Sequence, residues 1–210
     1  GVPMHWMGDW GTPVTLFLQS ARGAELTDVD GNTYADFCLG DTGAMFGHSP
    51  EPVARALEAQ ARRGFTAMLP TEDAVVAGEL LATRFGLPFW QMTQTASDAN
   101  RAVLRWARAI TGRGAVLVFE HCYHGAVDDA FVRIEGGRAA NRPGLVGQAA
   151  DLGLHTRCVE FNDVAALEAA LRTREVACVL AEPVMTNAGM VLPEPGFLEA
   201  MRELTRRHRT

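Results

Sequence analysis

The sequence predicts an α/β fold, a largely parallel sheet with helices on both faces, preceded by a small antiparallel β-meander. Three observations predict it. Continuous apolar runs such as Val116-Leu117-Val118-Phe119 alternate with amphipathic segments, the pattern of strands buried on both faces. Ala99, Val103, Trp106, Ala107 and Ile110 recur at helical spacing, so the segment behind a short polar turn reads as a helix. Residues 14–38 instead carry short strand-like runs around Asp30-Gly31, a strong tight-turn signal.

In chain order, residues 1–13 are rich in Gly, Pro, Trp and Met without a period, and read as an arm that packs onto another surface. Strands are expected over 14–18, 24–28 and 33–37, then a glycine-bearing loop over 40–48. Ser49-Pro50 opens a helix over 51–63, with Val53, Leu57 and Ala61 on one face. Thr71 caps a second helix over 72–85, which Gly86 ends. Strand 89–93 then leads to helix 98–111, closed by Gly112, and strand 115–120 leads to a long irregular stretch over 121–155. Strand 156–161, helix 163–171, strand 176–182 and helix 196–208 complete the alternation.

Composition narrows the function classes. Hydrophobic content of 48% with 21% charge is ordinary for a soluble globular protein. A net charge of −6, with no basic patch interleaved with aromatics, gives no reason to expect a nucleic-acid partner. No apolar run approaches the ~18 residues of a membrane helix, so no membrane partner is expected. The four cysteines are widely spaced and read as free thiols, mostly buried, in a reducing cytoplasm. All 19 basic residues are arginine, and the chain contains no lysine.

Ligands of open α/β sheets bind outside the carboxyl ends of the strands. Three such ends carry chemistry here. At 93–98, Ser97 and Asp98 are helix-starting residues, and the first-turn N–H groups can either be capped or hold an anion such as phosphate. Without glycine the turn is neither a P-loop nor a dinucleotide fingerprint. At 120–125, His121, Cys122 and His124 lack a second cluster at ligand spacing, so no metal site is expected. Tyr123 and His124 before Gly125 suit a flat heteroaromatic ligand, although an ordinary loop tyrosine fits the same window. At 182–189, Glu182 closes an apolar strand and needs a partner, either an arginine or a ligand. Asn187 supplies a donor and an acceptor nearby. A phosphorylated, planar, heteroaromatic molecule such as pyridoxal 5'-phosphate answers all three.

With these residues in view, the chain resembles the class III, fold-type I, pyridoxal-phosphate-dependent aminotransferases, nearest the glutamate-1-semialdehyde aminomutase-like group. The resemblance runs from Asp28-Val29-Asp30-Gly31-Asn32 through Gly47-His48-Ser49-Pro50 to Pro193-Glu194-Pro195-Gly196-Phe197-Leu198. Its most specific parts are Phe119-Glu120-His121-Cys122-Tyr123-His124-Gly125 and Glu182-Pro183-Val184-Met185-Thr186-Asn187-Ala188-Gly189. It implies that Thr95, Ala96 and Ser97 grip the cofactor phosphate, where the family usually has Ser-Gly-Thr and this chain lacks the glycine. It implies that Tyr123 stacks on the pyridine ring beside His124, with Glu182 and Asn187 near the phenolic oxygen and the substrate.

The resemblance further implies an aminotransferase or aminomutase that moves an amino group between a small-molecule amino donor and a carbonyl acceptor, working as a homodimer. It divides the chain into residues 1–45, an arm and meander of a small domain, and 46–210, the first half of a cofactor-binding large domain. Such chemistry needs a lysine for Schiff-base attachment and an acidic residue at the pyridine nitrogen. No catalytic residue is therefore assigned. The chain is expected to be the N-terminal half of a longer enzyme, inactive by itself. The alternative is a non-catalytic cofactor-binding remnant that partners a complete homologue. Nothing local singles out which of the arginines would receive a substrate carboxylate.

Overall fold

The computed structural model describes residues 5–8, 11 and 13–210. Most of the expected 1–13 arm lies outside the described residues, and a 3-10 turn at His5–Gly8 belongs to it. The chain forms two compact units, Gly1–Gly86 and Leu87–Thr210.

In the first unit, β1 (Leu18–Arg22), β2 (Glu25–Asp28) and β3 (Thr33–Ala35) form an antiparallel sheet in that order, the expected meander. The turn between β2 and β3 is built by a side chain as well as by backbone preference. Buried Asp28 accepts the N–H groups of Asp30 at 3.0 Å and Asn32 at 2.8 Å, and the Tyr34 hydroxyl at 2.8 Å. The Asn32 side-chain bond leads these in holding the Asp28 carboxyl below the usual carboxylate range. Gly31 takes φ +84°, the left-handed conformation such a turn requires. The first strand starts four residues later than predicted. Ahead of it the pairing is reduced to single bonds, such as Val29 N to Phe17 O at 2.9 Å, and a register shift follows at Leu18/Ser20.

Helices α1 (Glu51–Ala61) and α2 (Glu72–Phe85) follow. Gly86 ends α2 as predicted, whereas Thr71 precedes it without a side-chain cap bond. The apolar positions that predicted both helices, Val53, Leu57, Val75, Val76 and Leu80, are exposed. A helical stripe says that a face can be covered, and nothing among the described residues covers this one.

The second unit contains α3 (Ala96–Thr111), β4 (Ala115–Phe119), β5 (Val132–Glu135), β6 (Arg138–Asn141), β7 (Thr156–Val159), α4 (Val164–Arg172), β8 (Val176–Val179) and α5 (Phe197–His208). Strands β7, β4 and β8 pair in parallel in that order, with Val116 opposite Thr156 and Ala115 opposite Val176. Every residue of the central strand β4 is buried, which explains its unbroken apolar run. Leu104 of α3, Leu167 and Leu171 of α4, and Phe197 and Leu204 of α5 close over the sheet. Each such fully buried side chain contributes roughly 1.5–3 kcal/mol. Phe119, Phe161 and Phe197 meet edge-on, with ring centroids 4.9 to 5.7 Å apart.

Four expectations are corrected here. Residues 89–93 form no strand, since Phe89 and Met92 are exposed and the segment satisfies itself locally through bonds such as Thr93 Oγ1 to Thr95 O at 2.9 Å. Among the described residues no neighbouring strand offers it a ladder. The stretch 121–155 is less irregular than expected, because β5 and β6 pair as an antiparallel hairpin across Gly136-Gly137. Helix α3 starts at Ala96, two residues before the predicted start, with Thr95 rather than Ser97 or Asp98 as its cap. The four cysteines are free, but only Cys122 is fully buried, and Cys38 is exposed.

Candidate functional site

The three segments singled out from the sequence, the start of α3 and the loops after β4 and β8, are joined by hydrogen bonds, all within the second unit. The residues that join them are specific. Helix α3 opens beside the loop that leaves β4. Ser97 Oγ accepts the Ala126 N–H at 2.9 Å, Asn100 Nδ2 donates to the His124 carbonyl at 3.0 Å, and Arg101 Nη2 donates to the Ala126 carbonyl. Gly125 sits inside this clasp at φ +76°, where a Cβ would lie 2.2 Å from Ser97 Oγ. Only glycine fits, for backbone conformation and for space.

Thr95 caps α3, its Oγ1 accepting Asp98 N–H at 3.2 Å and donating to the Asp98 carboxylate at 2.8 Å. The first intrahelical bond runs from Ala99 N to Thr95 O at 3.1 Å. The Ala96 and Ser97 amides ahead of it take no hydrogen bond among the described residues. They stand at the positive end of a 16-residue helix dipole. Thr95 and Ala96 are exposed, and Ser97 is half-buried.

The loop after β4 is tied to the loop after β8 by Glu182. One carboxylate oxygen accepts Tyr123 N–H at 3.0 Å, and the other accepts Thr186 N–H and Oγ1–H at 3.3 and 3.4 Å. The partner expected for Glu182 was an arginine or a ligand. The structure supplies backbone and hydroxyl donors instead, which orient the carboxylate without neutralising it. Asn187 lies in the 3-10 turn Thr186–Ala188, exposed, with Nδ2 3.4 Å from Thr186 Oγ1.

His124 is buried at 8% exposure, and its Nε2 has no hydrogen-bond partner among the described residues. Burial pushes the imidazole below its ordinary value, against the opposing pull of Glu182 and the Leu180 backbone. It therefore sits neutral at pH 7, with one ring nitrogen still to be satisfied. Tyr123 next to it is 56% exposed.

Beside these groups opens a cleft of about 460 Å³, lined by His121, Cys122, Tyr123, Arg142, Asn187 and Ala188. Tyr123 on a cleft of that size, with open helix-start amides and an oriented carboxylate bonded to the same loop, suits a planar, anionic, ring-shaped ligand. Of the predicted residues, Ser97, Tyr123, His124, Glu182 and Asn187 are brought into one linked arrangement, and Thr95 and Ala96 form the outer edge of its helix turn. Arg142 is the lining residue that the sequence did not single out. It follows the β5–β6 hairpin, and only its position in three dimensions distinguishes it from the other arginines.

A sequence model of the class-III aminotransferases matches residues 6–210. Glutamate-1-semialdehyde 2,1-aminomutase of Methanosphaera stadtmanae is 37% identical over 198 residues, 92% of this chain and 46% of that protein. The enzyme of the same name from Archaeoglobus fulgidus is 34% identical over 195 residues. Among solved structures, a glutamate-1-semialdehyde-aminomutase from Pseudomonas aeruginosa is 52% identical with a TM-score of 0.96, covering all of this chain and 46% of that one. A lysine-to-alanine variant of that protein was solved in complex with PMP. An omega-transaminase from Sphaerobacter thermophilus is 30% identical with a TM-score of 0.84, over 95% of this chain and 48% of that one. This chain thus spans about half the length of the relatives it matches, and its fold is theirs over that half. By sequence match and by fold, the chain belongs to the class-III aminotransferase family.

Proposed function

We propose that these residues form the phosphate and ring side of a pyridoxal-phosphate site, in an enzyme that moves an amino group between a small-molecule amino donor and a carbonyl acceptor. The observation that carries this reading is that hydrogen bonds tie the start of α3 and Glu182 to the one loop that carries His124 and Tyr123, and that Tyr123 lines the cleft. In this proposal the Ala96 and Ser97 amides, with the Thr95 and Ser97 hydroxyls, hold the phosphate at the start of α3. Tyr123 covers one face of the ring, and its exposure leaves that face available. Glu182, fixed by the Tyr123 and Thr186 amides, presents a carboxylate to the polar edge of the ring, and Asn187 offers a donor beside it. Neutral His124 stiffens the wall behind Tyr123 and keeps one nitrogen for a further partner.

When bound, pyridoxal phosphate accepts the amino group and stores the electrons of the broken substrate bond in its ring. Covalent attachment needs a lysine, and the chain has none. In the proposal that residue, and the acid at the pyridine nitrogen, come from polypeptide other than these 210 residues. The reading assigns residues 1–45 to a small domain and 46–210 to the cofactor domain, in a cytoplasmic homodimer. Exposed Phe37, Phe46 and Met68 provide apolar surface for assembly. Among the described residues no helix is long and apolar enough to cross a membrane.

The experiment is a binding titration on purified full-length protein containing this chain, comparing pyridoxal phosphate with pyridoxal. Tighter binding of the phosphorylated form, weakened by Ser97→Ala, is the expected result. Equal affinity for the two would overturn the phosphate assignment.

A further inference from the structure

The turn assigned to the cofactor phosphate is closed by one of its own side chains. Thr95 is the N-cap of α3, Asp98 is the third residue of that helix, and two bonds join them. Thr95 Oγ1 accepts the Asp98 N–H at 3.2 Å and donates to Asp98 Oδ2 at 2.8 Å. A capping box sends the second bond elsewhere, from the side chain at the third position back to the backbone N–H of the cap. Here the carboxylate takes the hydroxyl proton of the cap instead. A threonine hydroxyl carries one proton, and it is that proton an anion needs. In this arrangement Thr95 has only a lone pair to turn toward a phosphate. The other hydroxyl of the turn is in a different state. Ser97 Oγ accepts the Ala126 N–H at 2.9 Å and donates to no acceptor among the described residues.

Asp98 also has a second partner within reach. Its Oδ1 lies 3.5 Å from Arg101 Nη1, one turn along the same helix, and Arg101 Nη2 donates to the Ala126 carbonyl in the loop after β4. The Asp98 side chain is 47% exposed, so its carboxylate can turn from Thr95 toward Arg101 without leaving solvent.

We propose that Asp98 is an internal competitor for the phosphate: its carboxylate occupies the Thr95 hydroxyl while the site is empty, and an arriving phosphate displaces it toward Arg101. The inference rests on the pyridoxal-phosphate reading above and adds to it a contact that opposes binding. The carboxylate and the phosphate carry like charge at one helix start and draw on the same hydroxyl donor. Affinity for the phosphate is thereby held below what the open amides and both hydroxyls would otherwise give, and pyridoxal, which lacks the phosphate, leaves the contact in place.

The test is a binding titration of full-length apoprotein containing this chain, with pyridoxal phosphate and with pyridoxal, for wild type, Asp98→Asn, Thr95→Val and the double variant. The ratio of the two affinities within one protein isolates the phosphate end, so general damage cancels. Asp98→Asn keeps the shape and removes the charge. It is expected to raise the preference for the phosphorylated form about ten- to thirtyfold, from a weaker bond to Thr95 and the relieved repulsion together. In the Thr95→Val background the contested hydroxyl is gone, and the same replacement is expected to give about threefold, the repulsion alone. Calorimetric titration with inorganic phosphate reads the turn without the ring and is expected to follow the same order. Crystal structures of the wild type with and without pyridoxal phosphate need no substitution. In them Thr95 Oγ1 is expected to leave Asp98 Oδ2 and contact the phosphate.

Three outcomes overturn the inference while leaving the cofactor reading intact. They are an unchanged or lowered phosphate preference in Asp98→Asn, an equal gain in both backgrounds, or an intact Thr95–Asp98 bond beside a bound phosphate. A wild-type protein that binds pyridoxal phosphate and pyridoxal equally overturns the phosphate assignment and this inference with it.

Discussion

Replacing Gly125 by alanine tests the clasp between α3 and the β4 loop at its tightest point. The added Cβ would stand 2.2 Å from Ser97 Oγ, on a residue at φ +76°. The left-handed conformation costs an L-residue about 1–2 kcal/mol. Swinging the serine hydroxyl away forfeits the 2.9 Å bond from Ala126 N–H, worth about 1 kcal/mol. Gly125→Ala should therefore cost about 2–3 kcal/mol in equilibrium urea unfolding of the full-length protein. It should also loosen pyridoxal phosphate, since the displaced residue is Ser97. The double mutant separates strain from clash. In a Ser97→Ala background the hydroxyl is gone and the nearest remaining atoms are Cβ at 3.2 Å and Cα at 3.3 Å. The glycine replacement should then cost about 1 kcal/mol less than in wild type. A cost under about 0.5 kcal/mol, or strict additivity in the cycle, would refute the reasoning.

Tyr123→Ala should leave folding nearly unchanged, because the residue is exposed, yet weaken cofactor binding by on the order of 1 kcal/mol; fluorescence titration measures it, and unaltered affinity would rule out stacking. Buried His124 has its pKa depressed below the ordinary 6.5, so below that pH the unfolded chain binds a proton that the folded chain does not. Stability attributable to His124 is thus present above about pH 6.5 and lost as pH falls below it, and His124→Asn should flatten the acid limb of a stability-against-pH curve. Desolvation pushes the Cys122 and Cys178 thiols up to about 11 and raises Cys158 as well, so maleimide at pH 8 should label exposed Cys38 first, as peptide mass spectrometry would show.

The parts legible in the sequence were those in which local chemistry and tertiary environment agree. Val116-Leu117-Val118-Phe119 is apolar without a break because β4 is covered on both faces, and Asp30-Gly31 marks a turn because Gly31 takes the conformation required there. Where partners decide the outcome, the same reasoning misled. Phe89-Trp90-Gln91-Met92-Thr93 has the composition of a strand but no neighbouring ladder, and propensity carries no information about neighbours. The β5–β6 hairpin was readable in principle from Gly136-Gly137 between Val132-Arg133-Ile134-Glu135 and Arg138-Ala139, a Gly-Gly turn between short runs. Apart from buried Val132 its residues are at most partly buried, so no strong alternation announces it. The site residues were found because they open α3 or follow closely on the buried strands β4 and β8. Arg142 was not, since only folding brings it to the cleft.

A crystal structure of the full-length protein with pyridoxal phosphate tests the central claim most directly. Phosphate density against the Ala96 and Ser97 amides, with the pyridine ring lying on Tyr123, is the predicted result. Phosphate away from the start of α3, or a ring that leaves Tyr123 uncovered, would contradict it.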